Sequence, residues 1–118
     1  MSRSGDIAEL RDALRAFAAE RDWDPFHSPK NLAIALSVEA AELLEHFQWR
    51  ETGAMGELSE DKQSQVRDEL ADVLLYLIML ADKLDVDLSN AAWDKLEKNG
   101  RKYPAEIVRG SSKKYSEL

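Results

Sequence analysis

The sequence predicts an all-α protein, an antiparallel four-helix bundle, and three observations carry that reading. Apolar residues recur at spacings of three and four along most of the chain, as one face of a helix requires. No stretch alternates apolar and polar residues in the manner of a strand, and only 3 Pro and 5 Gly interrupt 118 residues. Serine and aspartate stand where helices should start, with short polar connections between.

Ile7, Leu10, Leu14, Phe17 and Ala18 define a first amphipathic helix ending near Arg21. The connection Asp22 to His27 carries Trp23 and Phe26. Ser28 followed by Pro29 begins a second helix, because the hydroxyl can cap free N–H groups and proline suits the first turn. It is expected to run to about Arg50, with Leu32, Leu36, Ala40, Leu43 and Phe47 facing the core. Residues 52–59, with Gly53 and Gly56, form a loop. Asp61 opens a third helix to about Leu84, whose core face is Val66, Leu70, Val73, Leu74, Leu77, Ile78 and Leu84. Asp87 caps a fourth helix, and Asn99-Gly100 reads as its stop. Residues 101–118 read as a basic, mostly irregular tail of a single domain spanning 1–118, with 104–118 as the tail proper.

A chain of this length buries roughly 65% of the surface its unfolded form exposes, enough for one core. Val73 to Ala81 is apolar around nearly the whole helix, so burial on several sides, as a homodimer or homotetramer, is expected. The alternative is a central helix wrapped by the other three. A formal charge of -7 argues against nucleic-acid polymers and anionic membranes, which need a positive surface. The chain has no Cys, hence no thiolate nucleophile or Cys-based zinc site. The N-terminus lacks the apolar core of a signal peptide and no apolar run approaches the roughly 20 residues of a membrane span. A cytoplasmic protein fits these features.

Glu39 with Glu42, and Glu69 with Asp72, place two carboxylate pairs at i,i+3 spacing inside otherwise apolar helical stretches. Either these acids are the solvated edges of amphipathic helices, or two facing pairs hold hard cations. Mg²⁺ takes oxygen ligands and shares them with substrate phosphates, so it suits this donor set. Di-iron bundles use Glu-x-x-His, and zinc sites use His-x-x-x-His. Neither spacing occurs, so His27 and His46 read as ordinary polar residues. Trp23, Trp49 and Tyr76 lie near the acids and could stack a base, or could simply fill core. Lys95, Lys98 and Arg101 belong to a late basic stretch that is either a solvated face or a source of phosphate contacts.

These residues resemble the MazG-like all-α nucleoside triphosphate pyrophosphohydrolases, and within them the dCTP pyrophosphatase branch. The likeness is carried by AAERDW (18–23), FHSPKNL (26–32), EAAELLEHFQW (39–49), DELADVLLYL (68–77), DVDL (85–88), RKYP (101–104) and SSKKYSEL (111–118). It implies Mg²⁺-dependent cleavage between the α and β phosphates by an oligomeric, nucleotide-pool house-cleaning enzyme. The metal ligands it implies are Glu39, Glu42, Glu69 and Asp72, with Glu39 or Glu42 as the base that takes a proton from water. The implied substrate contacts are Trp23, Trp49, Tyr76, Lys95, Asn99, Lys114 and Tyr115.

Two residues depart from that branch's pattern: Leu14 stands where a His is common, and Gly100 interrupts a usually basic stretch. The resemblance therefore leaves three readings of function: hydrolysis of dCTP or a modified dCTP, a broader or dUTP-directed hydrolysis, and a non-catalytic nucleotide-binding helical oligomer.

Overall fold

The computed structural model describes residues 6–111. Among them are five α-helices and no strand, so the all-α expectation holds. The chain divides into two compact units, Met1–Val86 and Asp87–Leu118.

The first unit contains α1 (Ile7–Glu20), α2 (Pro29–Glu45) and α3 (Glu60–Lys83). Local chemistry sets each start. The Asp6 carboxylate accepts the Ala8 N–H at 2.8 Å, Ser28 Oγ accepts the Asn31 N–H at 3.1 Å, and Ser59 Oγ accepts the Lys62 N–H at 3.2 Å. Glu60 and Asp61 in the first turn of α3 and Lys83 in its last suit the helix dipole.

α1 and α3 end alike. Asp22 and Asp85 adopt φ of 53° and 55°, and each turn closes with two backbone hydrogen bonds. The Trp23 N–H donates to Ala18 O at 3.0 Å and the Asp22 N–H to Ala19 O at 3.2 Å; the Val86 N–H donates to Ala81 O at 2.9 Å and the Asp85 N–H to Asp82 O at 3.1 Å. This paired closure satisfies the last free carbonyls and throws the next residue back along the helix. After α1 that residue is Trp23, whose ring meets Phe17 edge-on at 5.7 Å between centroids.

α2 and α3 pack along the longest interface, and α1 lies against α3 over a shorter one. An ion pair joins Lys83, at the end of α3, to Asp24, just before α2, so α2 and α3 run antiparallel. Leu32 and Ile78, 1% and 2% exposed, form the centre of the core, with Ala18, Leu58 and Ala81 around them. The predicted stripe of α2 is largely right, except that Ala40 faces out. On α3 the inward residues are Val66, Val73, Ile78 and Ala81, whereas Leu70, Leu74, Leu77 and Leu84 are exposed in the isolated chain. The sequence pattern groups Val66, Val73 and Ile78 with those four leucines as one face and leaves out Ala81.

Three expected boundaries are corrected. α2 stops at Glu45 rather than Arg50, because the chain tightens: the His46 and Phe47 N–H groups donate to Leu43 and Leu44 carbonyls, three residues back. In the second unit α4 spans Leu88–Lys102, running through the expected stop at Asn99-Gly100. Gly100 does not take the positive φ of a terminating glycine. Within the expected irregular tail, Ala105–Val108 forms the short α5 behind Pro104.

The α2–α3 connection is ordered by one carboxylate. Glu57 accepts hydrogen bonds from the backbone N–H groups of Glu51, Thr52 and Ala54 and from the Thr52 hydroxyl; the hydroxyl most of all, with the backbone N–H groups of Thr52, Gly53 and Ala54, holds its pKa below the usual range. Gly53 turns the chain at φ 74°, and a Cβ there would lie 2.7 Å from Cδ1 of Phe47. Gly53→Ala is therefore expected to destabilise the protein by about 1–2 kcal/mol through backbone strain and collision. Gly100→Ala, in a helix interior with nothing within 4 Å, is expected to stabilise it by about 0.5–1 kcal/mol. Urea unfolding of both variants checks the two signs.

Candidate metal centre and adjoining pocket

The acid-bearing turns of α2 and α3 meet near the middle of both helices. Glu39, Glu69 and Asp72 each offer a carboxylate oxygen, and these oxygens lie within 4.8 Å of one another. Residues 69 and 72 share one face of α3 because they are three apart. Glu42, one turn along α2, neighbours Glu39 but lies outside that group of three.

Such crowding is unfavourable for bare carboxylates. Glu39 has its pKa pushed up to about 7, first by a hydrogen bond shared with Glu69, then by burial, then by Glu42. Glu69 Oε2 is buried with no hydrogen-bond partner among the described residues. A buried acceptor without a donor needs either a proton on its neighbour or a cation. The donor set is all oxygen, three ligands are already gathered, and a fourth stands one turn away, so these residues fit a hard divalent ion.

Beside the acids, on the α1 side, lies a pocket of about 370 Å³. Leu10, Leu14 and Phe17 of α1 form one wall, and Leu75, Tyr76 and Met79 of α3 form the other. Trp23 and His27 close one end, their rings edge to face at 6.3 Å. Asp72 belongs both to the pocket lining and to the carboxylate cluster, so the two form one continuous site. The pocket is mostly apolar and aromatic with a few polar side chains, as small-molecule sites are, and Asp72 is the acid in its lining.

The structure thus brings together Glu39, Glu69, Asp72, Trp23 and Tyr76 of the residues expected from the sequence. Trp49 does not line this pocket; its side chain is 88% exposed. Lys95 and Asn99 lie on α4, in the second unit. Lys114 and Tyr115 lie outside the described residues. The sequence reading missed Phe17, His27 and Met79 as walls. The signal was present for Met79, which follows Asp72 and Tyr76 at helical spacing, and for Phe17, which repeats Leu10 and Leu14. His27 carried no such signal, because only the turn after Trp23 brings it round.

The MazG-like family pattern matches residues 34–118, which is most of the chain and includes both acid pairs. The chain belongs to the MazG-like family. It is 45% identical to human dCTP pyrophosphatase 1 over 114 residues, 95% of this chain and 67% of that protein. The protein of the same name from Bos taurus is 41% identical over the same share of this chain and 68% of its own length. The MazG-like chain spans about two thirds of the length of these curated relatives. In three dimensions it resembles a crystal structure of a pyrophosphatase from Archaeoglobus fulgidus, with a TM-score of 0.77 and 43% identity over 88% of this chain and 97% of that one.

A carboxyl whose pKa is higher folded than unfolded binds more protons in the native state between the two values. For Glu39 that window runs from the ordinary 4.5 to about 7, so its contribution to stability is complete below the window and lost as pH rises through it. Metal-free protein is expected to melt lower at pH 8 than at pH 5.5, and Mg²⁺ at pH 8 to raise the melting temperature. Glu39→Gln should flatten this pH dependence, as scanning calorimetry can check.

Proposed function

We propose that this chain is a Mg²⁺-dependent pyrophosphohydrolase that converts dCTP, or a modified dCTP, to dCMP and pyrophosphate in cleansing the nucleotide pool. The observation that carries it is the sharing of Asp72 between the carboxylate cluster and the aromatic pocket. A base held beside Trp23 and Tyr76 would leave its triphosphate next to the acids. The 40–45% identity to several proteins named dCTP pyrophosphatase 1 supports the same substrate.

Glu39, Glu42, Glu69 and Asp72 would hold the metal, which when bound neutralises the phosphate charge and acidifies a coordinated water. Water oxygen adds to the α-phosphorus, the bond from that phosphorus to the bridging oxygen breaks, and pyrophosphate leaves with the electron pair. Glu39 or Glu42 takes the proton from the water. Trp23 and Tyr76 orient the base. Trp49, Lys95, Asn99, Lys114 and Tyr115 enter this proposal as substrate contacts on the family resemblance alone.

Self-association belongs to the same proposal. Ile34, Val38 and Leu44 on α2 and Leu70, Leu74 and Leu77 on α3 are exposed large apolar side chains, which a second copy of the chain could cover. Among the described residues no helix is long and apolar enough to cross a membrane; a cytoplasmic location is part of the same proposal, and a nucleotide-pool substrate supports it.

Pyrophosphate release across a panel of ribo- and deoxynucleoside triphosphates with Mg²⁺ is expected to give the highest kcat/KM for dCTP or a 5-substituted dCTP. Glu39→Gln and Asp72→Asn should each lower kcat at least about 100-fold with the helical circular dichroism retained. No release from any nucleotide, or full activity in both variants, would overturn the assignment. Light scattering of the same preparations is expected to exceed the 13.4 kDa of one chain.

A further inference from the structure

The pocket has one wall on α3 and one on α1, so its width is the separation of these helices. Apolar packing fixes that separation weakly. Ala18 is the one buried residue of α1, and the helix meets α3 over a shorter stretch than α2 does. The polar contacts are more definite. Arg15 Nε donates to Asp82 Oδ2 at 2.8 Å and its Nη2 to Oδ1 at 2.5 Å, a two-pronged pair across the helices. The Asp82 side chain is 21% exposed and the Arg15 side chain 56%, so the pair is sheltered from water at its carboxylate end only. Beside this pair, the ion pair of Lys83 with Asp24 anchors the turn that follows Trp23.

Both pairs edge a smaller cavity of about 130 Å³. It shares Leu14, Ala18, His27 and Met79 with the larger pocket. These four side chains lie between the polar contacts and the pocket. Asp82 follows Asp72 by ten residues on one helix, about 15 Å along the axis. Across that distance the pair is screened from the carboxylate cluster.

We propose that Arg15 and Asp82, assisted by Asp24 and Lys83, are positioning residues that latch α1 and the Trp23 turn onto α3. They thereby set the width of the pocket and the affinity for the base. They act through Leu14, Phe17 and Trp23, and do not touch the phosphates. The inference rests on the reading that this pocket takes the base of a nucleotide.

Arg15→Gln, Asp82→Asn and the exchanged pair Arg15→Asp with Asp82→Arg test it. Each is assayed with dCTP and with 2-deoxyribose 5-triphosphate, which lacks a base, and hydrogen exchange is followed in α1. Arg15→Gln and Asp82→Asn are expected to raise KM for dCTP about fivefold, the scale of one partly sheltered ion pair. Their kcat should stay within about twofold and the baseless substrate should be unaffected. Amides of α1 should exchange faster while those of α2 and α3 do not, and the exchanged pair should restore KM. An unchanged KM for dCTP in folded Arg15→Gln, or an equal loss with both substrates, would overturn the latch. Wild-type protein that hydrolyses no dCTP would instead overturn the functional reading. The exchange measurement then decides the latch alone, and unaltered α1 exchange in Arg15→Gln rejects it.

Discussion

The structure depends on the enforced proximity of Glu39, Glu69 and Asp72. Three carboxylates with oxygens inside 4.8 Å repel one another unless a proton or a cation stands between them. The α2–α3 interface holds them there against that repulsion, with Leu32 and Ile78 in its core and Glu57 ordering the connection. The raised pKa of Glu39 and the unpartnered Glu69 oxygen are two signs of the same frustration. A fold selected for stability alone would relieve it with neutral side chains.

The helical repeat couples this cluster to the pocket. Asp72, Tyr76 and Met79 fall on one face of α3, so a single helix carries a charged end and an apolar end of the same site. α2 adds Glu39 to the charged end, while α1 and the turn after it add Leu14, Phe17 and Trp23 to the apolar end. This division suits a ligand with a flat, weakly polar head and a polyanionic tail. The left-handed turn at Asp22 throws Trp23 back against Phe17 at the apolar end, where the chain reverses before α2 begins.

Much of this was legible in the sequence. Starts of helices were readable because Ser28 and Asp87 act locally through their own side chains, and the acid pairs were readable because i,i+3 spacing fixes a common face. What escaped was set by tertiary contact or by alternatives of similar energy. Asn99-Gly100 has the chemistry of a stop, yet the helical φ of Gly100 costs only about 1 kcal/mol relative to Ala, which neighbouring turns absorb. α2 ends at Glu45 because the His46 and Phe47 N–H groups turn to carbonyls three residues back, which no local signal announces. The apolar pattern of α3 did not separate residues covered within the chain from Leu70, Leu74 and Leu77, since periodicity reports an apolar face and not what covers it. Trp49 read as a pocket residue by resemblance, but the chain by itself leaves it exposed.

The central claim is that the acids and the pocket together direct water to the α-phosphorus of a bound nucleotide. Hydrolysis of dCTP in ¹⁸O-enriched water with Mg²⁺, followed by ³¹P spectroscopy, tests it most directly. The account predicts dCMP carrying the solvent oxygen and unlabelled pyrophosphate. Label in the pyrophosphate, or dCDP with orthophosphate as products, would contradict it.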